Sequence, residues 1–269
     1  MTNRIDRKFK ELKAKRQKAF IAYITTGDPS LAMTAKLVQS LEKSGVDIIE
    51  LGIPFSDPLA DGPTIQAASM RALRRRITLK KAFGMVRKLR PKTGIPIAFM
   101  TYYNPILRYG LNRFIDDCKR SGVDGVIVPD LPYEEAGELV RLGLRKEIAT
   151  INLVAPTSTV KRIREIAKRS TGFIYYVSLT GVTGARKKLS QELKGRLKTV
   201  RSLKLNKPVC VGFGISTPGQ AKEVAKISDG VIVGSAIVKI IETNLKNEKA
   251  LLLRVERFAK SLGNAIHAA

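Results

Sequence analysis

Histidine is almost missing from this chain: the one copy, His267, stands third from the end of 269 residues. A position so close to the terminus predicts a frayed tail residue with no role. Its isolation excludes Ser-His-Asp triads, histidine metal clusters and histidine general bases. Acid–base chemistry must then come from carboxylates, lysines or tyrosines. Tryptophan is absent and aromatics make up only 6%. The two cysteines, Cys118 and Cys210, form no C-x-x-C pair, so neither a disulfide nor a metal site is expected, and the reading is a reducing, cytoplasmic compartment. No run approaches the roughly 18 to 20 apolar residues of a membrane span, and the polar N-terminus lacks the apolar centre of a signal peptide.

Acids are scarce as well. Against 49 Lys and Arg there are 23 Asp and Glu, a net charge of +26 and a pI near 10.3. Clustered bases attract polyanions. Here, however, the clusters at 74–76, 80–81, 87–92 and 186–207 fall in helix-patterned segments with no aromatics interleaved for stacking bases. They read as solvated helix faces, predicting no specific nucleic-acid binding and only weak, salt-sensitive association with polyanions. Ion-pair networks of the thermophilic kind explain the excess poorly, because there are too few acids to partner the bases.

What the chain does have is a regular alternation. Short β-branched runs at 19–25, 47–53, 95–102, 125–128, 150–155, 172–178, 208–212 and 230–233 predict strands. Amphipathic segments at 30–43, 64–75, 79–89, 111–120, 134–142, 159–168, 190–203 and 218–227 predict the helices between them, with a basic helix at 4–16 and a last one at 249–262. Strands without polar alternation are buried on both faces, as in a parallel sheet wrapped by helices. Eight such units in about 250 residues predict an α/β fold. The expectation is a single (β/α)8 TIM-barrel domain over residues 1–269, with an extra N-terminal helix and a short helix after strand 8. A doubly wound sheet is the alternative, but Thr25-Thr26-Gly27-Asp28 after the first strand lacks the glycine fingerprint that fold uses.

Barrel chemistry gathers at the C-terminal ends of the strands. Two kinds of machinery stand there. Gly212-Phe213-Gly214 and Gly234-Ser235 are short glycine turns after the seventh and eighth strands, the second entering a helix. Glycine lets backbone N–H groups approach an anion, the helix N-terminus adds positive charge, and this pair of loops is a recurrent phosphate site in barrels. Gly181 to Gly184 reads as a hinged loop that could close over a ligand.

The second is an acidic pair. Glu50 shares a strand face with Ile48 and Gly52, so it should point into the barrel mouth, where apolar walls would raise its pKa toward neutrality. The bland alternative is an ion pair with one of many nearby bases. Asp61 lies at the end of the same loop, and its bland alternative is capping the following helix. Pro54, Pro58 and Pro63 stiffen that loop; Asp57 has no inward direction and reads as a loop or interface residue. A glycosidase would also use two carboxylates, yet the sugar-stacking aromatics are lacking and a phosphate cradle would be superfluous. A sugar-phosphate isomerase is disfavoured by the missing His or Lys partner, and a non-catalytic docking barrel by the presence of both acids.

The strings ELGIPFSDPLADGPTIQ (50–66), MTYYNPI (100–106), VPDLPYEE (128–135), APTST (155–159), YYVSLTGVTGAR (175–186), GFGIS (212–216) and GSAIVKII (234–241) occur in an order that resembles the tryptophan synthase alpha chain family. The resemblance runs from 19–30 to the last helix. It implies a lyase of L-tryptophan biosynthesis that cleaves indole-3-glycerol phosphate to indole and glyceraldehyde 3-phosphate. Glu50 would be the acid–base residue, and Asp61 the carboxylate that holds the indole N–H. Tyr175 and Thr183 would be further substrate-binding residues, and Gly184, Gly214, Gly234 and Ser235 the phosphate site. Tyr23, Met100, Ile127 and Leu153 would line the indole pocket. The resemblance further implies a beta-chain partner in an alpha2-beta2 assembly, docked partly on Pro54, Asp57 and Pro58, with pyridoxal phosphate carried by that partner and no cofactor here. The family's members are typically near neutral or acidic, so the charge of +26 is a departure that falls on surface behaviour and partner charge.

Overall fold

The computed structural model describes residues 3–177, 191–212 and 214–269, apart from the side chains of residues 192 and 193. Among them run nine parallel strands: β1 (Ala19–Thr25), β2 (Ile48–Gly52), β3 (Ile97–Met100), β4 (Gly125–Ile127), β5 (Ala149–Ile151), β6 (Leu153–Val154), β7 (Ile174–Val177), β8 (Val209–Gly212) and β9 (Gly230–Val233). They hydrogen-bond in the order β5-β4-β3-β2-β1-β9-β8-β7-β6. The two edges, β5 and β6, are one stretch of chain broken only at Asn152, so the sheet curls into a nearly closed (β/α)8 TIM barrel. There the Asn152 carbonyl accepts the Tyr175 N–H of β7 at 3.1 Å, and its Nδ2 donates to the Ser170 hydroxyl at 3.1 Å.

Twelve helices accompany the described strands: α1 (Arg4–Ala14), α2 (Leu31–Lys43), α3 (Pro63–Arg74), α4 (Leu79–Leu89), α5 (Tyr103–Tyr109), α6 (Leu111–Ser121), α7 (Gly137–Lys146), α8 (Val160–Arg169), α9 (Gln191–Ser202), α10 (Pro218–Ala225), α11 (Ser235–Glu242) and α12 (Glu248–His267). Side-chain caps fix several starts: Ser30, Thr78, Thr159, Thr217 and Asn247 each accept a first-turn N–H. Helix α7 begins later than expected and runs on to Glu147, which ends it in the left-handed region at φ 58°. Helix α5 was not foreseen. The Asp130 carboxylate accepts the Tyr103 N–H at 2.9 Å where that helix starts.

Two cores result, as the strand period of two requires. Outward-facing strand residues such as Phe20, Leu51, Phe99 and Val211 pack under the helices. Inward-facing Ile21, Ile48, Ala98, Ile127, Ile151, Phe173, Cys210 and Ile232 fill the barrel. Helix α1 closes one end of that interior with Ile5, Leu12 and Phe9, the last lying 5.8 Å from the Phe173 ring. Asn3 ties the plug down, donating to the carbonyls of Asp124 and Glu147.

Three of the scarce acids stand at strand starts. Asp47, Asp124 and Asp229 accept the N–H groups of Phe20, Ile97 and Val209 on neighbouring strands. Here the reading of His267 as an idle tail fails. Helix α12 continues to the histidine, whose Nε2 sits 2.9 Å from Asp47 Oδ2, so it pins the last helix to the foot of β2. The described residues of the basic clusters are largely exposed, as expected of solvated helix faces. Arg90 differs: half-buried, it donates to the Gly122 and Ile95 carbonyls and pairs with Asp124 at 2.8 Å.

Candidate active site

Period two carries Glu50 inward, and strand register sets it between Tyr23 of β1 and Ala98 of β3. It is fully buried, at 0% exposure. Neither carboxyl oxygen has a hydrogen-bond partner among the described residues. The ion pair that would have made it structural is therefore absent among the described residues. Loss of hydration with nothing in exchange penalises the charged form, and burial pushes the Glu50 pKa up to about 8. An orphaned buried carboxyl is costly to a fold. Such strain collects where a group must give and take protons.

Asp61 reaches the same space from the β2–α3 loop. It does not cap α3, because Gly62 is the N-cap and makes no side-chain cap bond. The loop holds it instead by its backbone: its N–H donates to the Pro58 carbonyl at 3.0 Å, and Gln66 Nε2 donates to its own carbonyl at 2.9 Å. Burial raises the Asp61 pKa to about 6, opposed by a hydrogen bond from the Tyr102 hydroxyl. That hydroxyl also accepts the Ala60 N–H at 2.9 Å, and the Tyr102 ring lies 5.3 Å from Phe55. Tyr102 thus pins the loop and orients its carboxylate together, a part the sequence reading did not assign. Tyr102→Phe removes the donor and keeps the ring. The Asp61 pKa is expected to rise by about one unit, the equivalent of one charge-assisted hydrogen bond, read by carboxyl-carbon NMR titration. An unmoved pKa would contradict this part of the site.

Tyrosines complete the chamber. The Tyr175 hydroxyl is driven well above its usual pKa by burial and then by the nearby charges of Glu50, Tyr23 and Asp61. Burial and Asp61 act the same way on Tyr23. Both acids of the expected pair thus act on the same two tyrosines. The Tyr23 ring fits because position 52 is glycine: a Cβ there would overlap its hydroxyl. At the other end of Tyr23, its Cβ lies 3.2 Å from where a Cβ on Gly234 would stand. Ile127 is buried in the barrel interior, and half-buried Leu153 packs against that cluster. Half-buried Met100 touches both this cluster and that of Tyr23, Ala68 and Val238. Met100 is thus the one residue of the expected apolar set that joins the cluster holding Tyr23 to the cluster holding Ile127.

The anion end is partly described. Gly234 is the N-cap of α11 with no side-chain cap, and exposed Ser235 opens the helix, leaving the first-turn N–H groups to an outside acceptor. Gly214 holds φ +50° with open space beside its Cα, a left-handed turn suited to glycine. Thr183 and Gly184 lie outside the described residues. Of the expected docking residues, Pro54 is buried within the chain. The outward face belongs to exposed Asp57, half-buried Pro58 and Leu59, which is 94% exposed. No cluster of three metal-ligating side chains occurs among the described residues. Both cysteines are free and buried.

The protein-family model described as tryptophan synthase alpha chain matches residues 9–267. Among curated proteins, the tryptophan synthase alpha chain of Geobacter sulfurreducens is 49% identical over 264 residues, covering 98% of this chain and 99% of that protein. That of Caldanaerobacter subterraneus subsp. tengcongensis is 48% identical over 260 residues, covering 97% and 98%. Among solved structures, tryptophan synthase subunit alpha from Legionella pneumophila str. Paris superposes with a TM-score of 0.92 at 40% identity, covering 99% of each chain.

Proposed function

The chain belongs to the tryptophan synthase alpha chain family, and on that premise we propose that Glu50 and Asp61 carry its reaction while Gly214, Gly234 and Ser235 hold the substrate phosphate. The reaction itself is the family's: a carbon–carbon lyase step that cleaves indole-3-glycerol phosphate to indole and glyceraldehyde 3-phosphate. Pyridoxal phosphate belongs to the beta chain that partners this subunit, and the alpha chain has no cofactor.

The observation that carries the assignment is the buried, unpartnered Glu50 carboxyl in one field with Asp61. With its pKa at about 8, Glu50 is protonated near neutrality, while Asp61, at about 6, is ionised. Environments that push two carboxyl groups apart assign acid and base. Glu50 gives its proton to C3 of the indole ring. Asp61 accepts the ring N–H and balances the positive charge that protonation leaves on the nitrogen. The bond from C3 to the carbinol carbon then breaks, and its electron pair returns to the ring. Ionised Glu50 takes the proton of the carbinol hydroxyl, which becomes the aldehyde, and the enzyme regains its starting state. Tyr175 and Tyr23 wall the ring with Met100, Ile127 and Leu153.

The test is the pH dependence of kcat/KM for indole formation. Activity needs Asp61 ionised and Glu50 protonated in the free enzyme. The profile should be a bell that falls below about pH 6 and above about pH 8. A profile flat across both limbs would remove the assignment.

The remaining parts of the proposal concern assembly. Residues 1–269 form one domain, the exposed edge at Asp57, Pro58 and Leu59 contributes to the beta-chain contact, and the assembly is alpha2-beta2. The excess positive charge gives weak association with polyanions that moderate salt abolishes.

A further inference from the structure

Arg71 stands on α3, the helix that leaves the Asp61 loop, and its guanidinium joins three elements. Nε and Nη2 donate to the two carboxylate oxygens of Asp28 at 2.8 and 2.9 Å, and Nη1 donates to Oε1 of Glu242 at 3.0 Å. Asp28 lies three residues beyond the end of β1 and is 1% exposed. Glu242 is the last residue of α11, the helix that opens at Gly234. The same two helices also share an apolar joint, where Ile65 and Ala68 of α3 and Val238 of α11 close on Tyr23. Ala68 precedes Arg71 by three residues and Val238 precedes Glu242 by four, so each helix presents an apolar and an ionic residue on one face. Each helix also has its first turn at the site: α3 begins two residues after Asp61, and α11 at the anion end.

We infer that Arg71 is a positioning residue that couples the two ends of the substrate site. An anion held at Gly234 and Ser235 fixes α11, and the Arg71 fork passes that restraint through Glu242 and Asp28 to α3 and the Asp61 loop. The second fragment then meets a carboxylate already ordered, which is positive cooperativity. The inference rests on the site assigned above and adds an energetic link between its halves. A lysine could supply the charge at position 71 but not the planar fork.

The experiment is the affinity of the full chain for indole with and without saturating inorganic phosphate. Because the chain contains no tryptophan, indole's own fluorescence reports binding. Phosphate should tighten indole binding at least ~5-fold in the native protein, and the factor should fall below ~2 in Glu242→Gln. That variant keeps the Asp28–Arg71 pair, so its melting temperature and its affinity for phosphate alone should hold. Arg71→Lys should give an intermediate factor. Lys239→Met, which removes the other partner of Glu242, should leave the factor intact. Arg71→Met strands a buried carboxylate at Asp28, so Glu242→Gln decides if that variant does not fold. No phosphate effect in the native chain, or an undiminished effect in Glu242→Gln, overturns the inference. Fragment binding involves no turnover. Coupling that persists in a protein whose Glu50→Gln variant stays fully active would sink the catalytic assignment alone; lost coupling beside a crippled Glu50→Gln would sink this inference alone.

Discussion

Replacing Glu50 by glutamine should lower indole formation from indole-3-glycerol phosphate by at least ~10²-fold in kcat, the low end for loss of an acid–base group. The substitution nearly conserves volume in a fully buried position, so KM should change little. An amide can neither protonate the ring carbon nor accept the hydroxyl proton. The same variant shows that the loss is chemical, because it should not unfold. An unfolded glutamate releases its proton near 4.5, whereas folded Glu50 keeps it to about 8. Between those values the native state binds the extra proton, so native stability falls as pH rises, by up to ~1.4 kcal/mol per pH unit. Below 4.5 both states are protonated and the effect vanishes. Glutamine has no such slope. The stability of Glu50→Gln relative to the native protein should therefore climb from pH 5 to pH 8 in urea unfolding. An active site that holds an uncompensated carboxyl gives up stability for function, and this variant measures how much. Full activity in Glu50→Gln, or a stability difference independent of pH, would show that the carboxyl is not the group described.

Asp61→Asn is the second large effect. The carboxylate stabilises positive charge that exists only after the ring is protonated, so its loss should fall on kcat more than on KM, by about 10²-fold. It should also remove the acid limb of the pH profile, because the group that titrates at about 6 is gone, while the limb near 8 remains. Loss of the alkaline limb instead would exchange the roles of the two acids. The neutral variant still accepts the Tyr102 hydroxyl bond through its amide oxygen, so the loop should keep its position. That separates charge from placement. If Asp61→Asn and Tyr102→Phe caused equal losses, placement alone would explain the site.

The barrel was legible because strands buried on both faces leave unbroken apolar runs, and β1 and β9 begin and end where the pattern places them. Glu50 was legible for a related reason: a carboxylate on the inward face of such a strand breaks the rule that governs its neighbours. The rest was hidden by distance along the chain. Tyr102 gains its meaning from Ala60, 42 residues earlier, and Arg71 from Asp28 and Glu242, 43 and 171 residues away. Helix α5 depends in the same way on Asp130, 27 residues on. His267 was misread because a terminal position says nothing about a partner 220 residues back. Pro54 was named a docking residue through the resemblance alone, and the resemblance does not reveal which residues of the loop this chain itself covers.

The central claim is spatial: one aromatic ring lies between the residue 50 side chain and Asp61 while its phosphate reaches the start of α11. The measurement that tests it most directly is a crystal structure of the Glu50→Gln chain with indole-3-glycerol phosphate bound. The account predicts the indole N–H on the Asp61 carboxylate, C3 against the residue 50 amide, and the phosphoryl oxygens on the backbone N–H groups of Gly234 and Ser235. A ring seated away from Asp61, or a phosphate bound elsewhere than the first turn of α11, would contradict it.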